Sequence, residues 1–343
     1  MLRKKVFPIL RRVLFLALVA VLLLYTTAVF ERKTLTGAWN YTMKINGFYN
    51  EEPNSFDLLA FGSSHMYCSM DPLYIYEQTG LRSYVLATQE QPVEATYYYI
   101  KEALEHQSPS VVILEAYMYL LDVYPTSEAA AHNAVDSMPL SLNKLRMIRD
   151  LNTADSKENY YFNFMKYHTR WNELTSADFD LSYREKTDPM KGFALLSGNT
   201  PIEIAPADYD TVESLPLEPA YMEYLEKTVK LIQDSGSEVL LYFAPYIYKN
   251  PQQQMRSKAL YQYAREAGLH IVDMNLSYTE LGFDSKVDFY DKEHLNMLGA
   301  EKASLYLANY AMEHFSVSPR PAGDSAKWEA DLLTYKQSKS PTE

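Results

Sequence analysis

The sequence predicts an α/β protein, a flavodoxin-like three-layer sandwich with a five-stranded parallel sheet, preceded by one N-terminal transmembrane helix. Three observations carry this. Five short apolar runs alternate with longer amphipathic stretches, the pattern of strands joined by crossover helices. Proline and glycine bracket those stretches where helices start and stop. Ahead of them all, residues 13–30 form a run of 18 without a charge.

As a helix that first run is about 27 Å long, close to the thickness of a bilayer core. Arg3, Lys4, Lys5, Arg11 and Arg12 precede it and fewer basic residues follow, so the positive-inside rule keeps the N-terminus cytoplasmic and sends the remainder across. A single-pass cell-membrane protein with an extracytoplasmic body is expected. A cleaved secretory signal is the competing reading, since Thr26 and Ala28 are small enough for a cleavage site; the run exceeds the usual apolar core of a signal. Residues 1–30 are assigned to a cytoplasmic stub and anchor, and 31–55 to a connector.

Strands are expected at 57–61, 83–86, 111–115, 238–244 and 269–273. Asp71 with Pro72 reads as N-cap and first turn of a helix that Gly80 closes. Pro92 opens the next, where Val93, Tyr97, Ile100 and Leu104 make one apolar stripe. Helices from Pro219 and Pro251 end before Gly236 and Gly268. Residues 56–316 form one domain, with an insertion at about 120–215 folded over the active face. The tail, 317–343, collects Ser, Pro and Lys and is expected to be mobile apart from a short helix near Trp328.

Composition bounds the function. With 47% hydrophobic and 22% charged residues, the 343-residue chain buries a proper core. Residues 1–33 hold seven Lys/Arg and one acid; the rest hold 25 against 43, a charge of -18. Such a body repels phosphate backbones, so nucleic acid is not an expected partner. The 30 tyrosines fill sheet and helix interfaces, and their chemistry also suits half-wet clefts and sugar surfaces. Cys68, the sole cysteine, reads as a small buried hydrophobe.

Two segments carry chemistry. The first apolar run ends at Gly62-Ser63-Ser64-His65, where a serine sits at the carboxyl edge of the sheet and so in the region where open α/β sheets bind ligands. Either serine also reads as a helix N-cap. Far along the chain, Asp291-Lys-Glu-His294-Leu-Asn296 offers an aspartate that can orient an imidazole from one loop, with Asn296 capping the last helix. The bland alternative is a solvated loop with an incidental histidine.

Together the segments resemble the SGNH, or GDSL-like, hydrolases over about residues 55–315, and with the anchor they resemble the subgroup of DltD-type teichoic-acid D-alanylation and alginate O-acetylation proteins. The resemblance implies Ser64 as nucleophile, His294 as general base and then acid, and Asp291 as orienting carboxylate. It also implies an oxyanion hole from the Ser64 N–H, a backbone N–H after strand two and an asparagine side chain after strand three. Here Ala87 or Thr88 stands at the second place, and Glu115-Ala-Tyr117 replaces the asparagine. Gln91 is therefore expected to supply the side-chain donor, although a polar residue ahead of Pro92 also suits a helix start. His65 is expected to face away in a supporting role. Tyr117 and the group Tyr167-His168-Thr-Arg170-Trp171 are further candidates for substrate contact, the latter group reading equally as a surface helix face.

Neither dinucleotide nor Walker-type phosphate fingerprints occur, His-Glu-x-x-His is absent and the seven histidines are scattered, so no cofactor or metal is expected. The expected function is an extracytoplasmic serine esterase or O-acyltransferase acting on a small acyl ester, acetyl foremost, of a cell-envelope polysaccharide or related polymer, with a multi-pass membrane O-acyltransferase as a candidate partner. The other reading is a non-catalytic accessory subunit of such an acyltransferase complex.

Overall fold

A computed structural model describes residues 2–276, 278, 280–320 and 325–339, with backbone alone for 2–6. Arg3, Lys4 and Lys5 of the basic flank, and tail residues 321–324 and 340–343, thus lie outside the described side chains. In chain order the elements are α1 (Leu2–Phe30), α2 (Tyr41–Tyr49), β1 (Leu58–Gly62), α3 (Ser64–Tyr67), α4 (Pro72–Thr79), β2 (Ser83–Ala87), α5 (Val93–Ala103) and β3 (Val111–Glu115). There follow α6 (Glu128–Val135), α7 (Leu142–Asp150), α8 (Glu158–Tyr161), α9 (Asn163–Tyr167), α10 (Pro219–Asp234), β4 (Glu238–Phe243), α11 (Pro251–Glu266), β5 (His270–Asp273), α12 (Met297–Phe315) and α13 (Ser325–Lys339).

The strands form one parallel sheet in the order β2-β1-β3-β4-β5. Both faces are covered, which is why the strands read as continuous apolar runs rather than alternations. Leu59, Phe61, Val112, Leu114, Leu241 and Phe243 point into a core shared with α5, α10 and α11. Their neighbours Leu58, Ala60, Val111, Ile113, Leu240 and Tyr242 point the other way, toward Ala303, Leu307 and Ala311 of α12. Eight tyrosines, among them Tyr67, Tyr84, Tyr99 and Tyr246, are less than 2% exposed, so much of the tyrosine content is interior packing.

Helix punctuation works as the sequence implies at α4, where the Asp71 side chain accepts the Leu73 and Tyr74 N–H groups and Gly80 takes the left-handed conformation. On α5 burial extends beyond the expected stripe: Tyr98 and Tyr99 are buried while Tyr97 and Leu104 are only partly so, because α7 and α10 flank the helix on either side.

Two expectations need correction. The segment 31–55 is more than a connector, since α2 packs against β2, with Phe48 5.2 Å from the Tyr84 ring and the Tyr84 hydroxyl donating to the Lys44 carbonyl at 2.6 Å. The helix expected near Trp328 is longer than the short one foreseen: α13 runs for 15 residues. Trp328, Leu332 and Tyr335 of α13 are buried, and the Tyr335 hydroxyl donates to Asp71 at 2.5 Å. Lys191, with no exposed side-chain surface, joins Glu51 at 2.8 Å and Asp331 of α13 at 2.5 Å.

The same Lys191 segment covers an open sheet edge. The Val85 N–H of β2 donates to the Lys191 carbonyl at 2.9 Å, which removes an unpaired strand edge from solvent. Gly192 follows at φ +88, and a Cβ there would sit 1.8 Å from the Val85 carbonyl oxygen. Gly192→Ala should therefore destabilise the chain by more than about 3 kcal/mol, read as a lowered urea midpoint. Burial pushes Asp71 up to about 6 against its ordinary 3.8, the Tyr335 hydroxyl and helix N–H groups opposing it. The folded chain thus holds that proton more tightly than the unfolded chain. The contribution to stability is full below the unfolded value and is lost as pH rises through about 6. The stability difference between wild type and Asp71→Asn should fall across that window; a flat difference would contradict the assignment.

Candidate active site

The order of the sheet places a switch between β1 and β3, whose connections leave in opposite directions, and ligand crevices open at the carboxyl ends of such a pair. Here a carboxylate joins the two ends. Glu115 Oε2 accepts the Ser63 N–H at 3.0 Å and its hydroxyl at 2.8 Å, while Oε1 accepts the Tyr117 N–H at 2.5 Å. Burial raises the Glu115 carboxyl above its ordinary range, and these bonds partly oppose that. Gly62 makes the approach possible, since a Cβ there would lie 2.6 Å from Glu115 Cβ.

Ser63 also accepts the His65 N–H and is the N-cap of α3. That settles which serine caps the helix and leaves the Ser64 hydroxyl free of capping. The Ser64 N–H lies in the first turn, where the backbone has no intrahelical acceptor.

His294 reaches Ser64 from the loop between β5 and α12. A bridge between Phe289 and Leu295 and a 2.9 Å bond from the Tyr290 N–H to the His294 carbonyl close that loop. Asp291 Oδ1 accepts the Glu293 and His294 N–H groups at 2.8 and 2.9 Å, and both carboxylate oxygens lie 3.0 Å from His294 Nδ1. His294 Nε2 is 2.9 Å from Ser64 Oγ. Burial pulls the Asp291 carboxyl up, but the His294 ring and the backbone donors outweigh it and leave the group below its ordinary value. An ionised Asp291 fixes the Nδ1–H tautomer, so Nε2 presents its lone pair to the hydroxyl. This arrangement can take the serine proton as an electrophile is attacked. Behind it, Asn296 caps α12 through the Leu298 and Gly299 N–H groups.

A cavity of about 280 Å³ opens beside this pair, lined by Ser64, Gln89, Tyr117, Lys249, Arg256 and His294 among others. His65 lines it too, contrary to the expectation that it faces away. Its ring packs 4.1 Å from Tyr117 and 4.8 Å from Tyr246. Burial, then the nearby His294 and Lys249, hold its pKa well below the ordinary histidine value, so it is neutral. Arg256, almost fully buried, spans the Leu120 carbonyl at 3.1 Å, Asp122 at 2.7 Å and Glu218 at 2.8 Å. Lys249 pairs with Glu293 at 3.0 Å. Trp39 stands edge-on to His294 at 6.4 Å. Among the described residues, no metal-ligating cluster borders this cavity.

Other sequence candidates lie elsewhere. Gln91 is fully buried, its Nε2 donating to Thr96 at 3.0 Å and its Oε1 accepting from Thr88 at 3.2 Å, so its amide is spent inside the β2–α5 turn. Ala87 and Thr88 are buried at the end of β2 and do not line the cavity. His168, Arg170 and Trp171 are likewise not in its wall. They stand at the base of α1, where Arg170 donates to the Phe30 carbonyl at 2.5 Å and to Asp178 at 3.1 Å. Of the insertion, Leu120, Leu121, Asp122 and Tyr124 supply the cavity wall. Lys249, Gln253 and Arg256 escaped the sequence reading; the one available signal was their position just beyond β4, at the ligand-binding edge.

No family model matches the sequence, and no curated protein matches it. Solved structures show a distant likeness. A G-D-S-L family lipolytic protein from Desulfitobacterium hafniense is 9% identical, with a TM-score of 0.37 over 74% of this chain and 97% of its own. An acylhydrolase from Bacteroides fragilis is 10% identical, with a TM-score of 0.36 over 80% and 96%. An acetyl xylan esterase from Butyrivibrio proteoclasticus is 9% identical, with a TM-score of 0.30 over 78% and 66%. At such scores these likenesses carry neither a family nor an activity over to this chain.

Glu115→Gln puts an NH₂ group against one of the N–H donors of Ser63 or Tyr117. It should cost about 1–3 kcal/mol, measurable by denaturant titration, and should loosen the Ser64 loop. An unchanged midpoint would remove Glu115 as the tie between the strands.

Proposed function

We propose that this chain is a membrane-anchored serine esterase or O-acyltransferase of the SGNH kind. The observation that carries the reading is the 2.9 Å approach of His294 Nε2 to Ser64 Oγ, with Asp291 at 3.0 Å behind the ring. Ser64 attacks the ester carbonyl as its proton passes to His294, and Asp291 stabilises the imidazolium. His294 returns the proton to the leaving alkoxide, which frees an acyl-serine. Water or an acceptor hydroxyl, deprotonated by the same ring, then attacks the acyl carbonyl, and His294 passes that proton to Ser64 Oγ as its bond to the acyl group breaks. The Ser64 N–H serves as one donor to the oxyanion.

The cavity, about 280 Å³, falls at the small end of ligand sites. That supports a short acyl group such as acetyl, whose carrier in this reading is an envelope polysaccharide or related polymer. The body's negative charge argues against nucleic acid.

Helix α1 is long and apolar enough over Phe7–Phe30 to cross a membrane. Packing of its end supports retention as an anchor over removal as a signal. Ala28 and Val29 are buried, Phe30 meets Phe164 edge-on at 5.3 Å, and Lys33 donates to the Val29 carbonyl at 3.2 Å. Cleavage after Ala28 would remove that buried residue and leave Val29 as a charged N-terminus inside the packing. Such an enzyme could receive acyl groups from a multi-pass membrane O-acyltransferase.

One observation favours the accessory-subunit reading: the Gln91 amide is already committed to Thr96, which leaves the oxyanion with fewer side-chain donors. Labelling separates the two. The purified full-length chain should react with a fluorophosphonate probe and release p-nitrophenol from its acetate ester. Ser64→Ala should abolish labelling, and Ser64→Ala and His294→Ala should each lower kcat by more than about 10⁴-fold. Equal signals from wild type and Ser64→Ala would leave the accessory reading standing.

A further inference from the structure

Away from the cavity, α6 carries Glu128, His132 and Asp136 four residues apart, on one face of the helix. Asp136 holds His132 Nδ1 between its oxygens at 2.9 and 3.1 Å, and is itself held by the Tyr167 hydroxyl at 2.6 Å. The Nδ1 proton is therefore committed to Asp136, and Nε2 carries the lone pair. His132 is 6% exposed, its ring packed 4.6 Å from Tyr160 and 5.6 Å from Tyr167, yet Nε2 is buried without a hydrogen-bond partner. One ligand atom from each of Glu128, His132 and Asp155 lies within 4.8 Å of the other two.

We propose that Glu128, His132 Nε2 and Asp155 bind one divalent transition-metal ion, with Zn²⁺ as the best fit. A neutral imidazole and two carboxylates balance the ion's charge, and a carboxylate behind the far ring nitrogen is the usual support of a metal-bound histidine. Magnesium and calcium favour all-oxygen sets of six or more ligands, which this group does not offer. Bonds of about 2.1 Å draw the ligand atoms of a tetrahedral site to about 3.4 Å apart. The exposed Glu128 closes that gap, and to do so it gives up its ion pair with Lys166.

Three protein ligands leave room for water, but the ion's place is structural. It ties α6 to the loop that carries Asp155. The Asn152 carbonyl in that loop accepts the Thr126 N–H at 2.7 Å, and the Asn152 amide donates to the Tyr124 carbonyl at 3.2 Å. Tyr124 lines the Ser64 cavity, so the ion fixes the segment forming one wall. Sequence spacing hid the set, because Asp155 lies 23 residues beyond His132.

The test is calorimetric titration of the chelator-treated full-length chain with ZnSO₄, paired with thermal unfolding with and without Zn²⁺. One ion per chain should bind and raise the midpoint. Glu128→Gln, at an exposed position that does not threaten folding, should weaken binding at least tenfold, and Asp136→Asn should weaken it by about 10- to 100-fold. Lys166→Ala should tighten it by removing the competing ammonium. Absence of saturable binding in the wild type, or Zn²⁺ affinity and thermal shift unchanged in both Glu128→Gln and His132→Ala, would overturn the proposal.

Discussion

The Glu115 carboxylate is the constraint on which the site rests. It sits where two neighbouring strands end and their connections part, and it replaces a missing backbone partner for both loops at once. Without a side chain on Gly62 it can lie flat against β1. It holds Ser63, the N-cap of α3, and with Ser63 in that role the Ser64 hydroxyl in the first turn is free of capping and meets His294. A charge buried so deeply is costly unless its lone pairs are satisfied. Three donors from two loops satisfy them, so the loops are held to one geometry by the cost of releasing any of them.

The far partner is positioned by independent means. The loop bearing His294 is closed by its own backbone bonds and by Asp291, which accepts two N–H groups before it touches the ring. The imidazole therefore arrives pre-oriented. Its neutral neighbour His65, walled by Tyr117 and Tyr246, fills the space beside it without adding a competing positive charge.

The sheet was legible because burial on both faces writes each strand as a solid apolar run. Expected and observed bounds differ by a residue or so: 57–61 against Leu58–Gly62, and 269–273 against His270–Asp273. Helices with proline at one end and glycine at the other were equally plain. The insertion was not, because helices such as α8 and α9 of four and five residues are too short to display a period. Helix α13 shows Trp328, Leu332 and Tyr335 at helical spacing, which gave the short helix expected near Trp328, but its Ser- and Lys-rich surroundings masked its full length. The segments bearing Ser64 and His294 stood out because each packs its chemistry into a few consecutive residues. Gln91 was misplaced because Thr96, one turn later, takes its amide, and the Arg170 group because its partner is the end of a helix 140 residues earlier.

That last contact changes what the N-terminal helix can transmit. A leash of flexible residues would fix only how far a body drifts from its support. Here the helix end is gripped by Arg170, Lys33 and Phe164, and Trp39 beside His294 follows Phe30 by nine positions, a reach of at most about 32 Å. Heading is passed on along with location. If the helix stands in a bilayer, the opening beside Ser64 keeps a set elevation and bearing above the lipid, like a fixed lamp on a post, and reacting partners must come to that height.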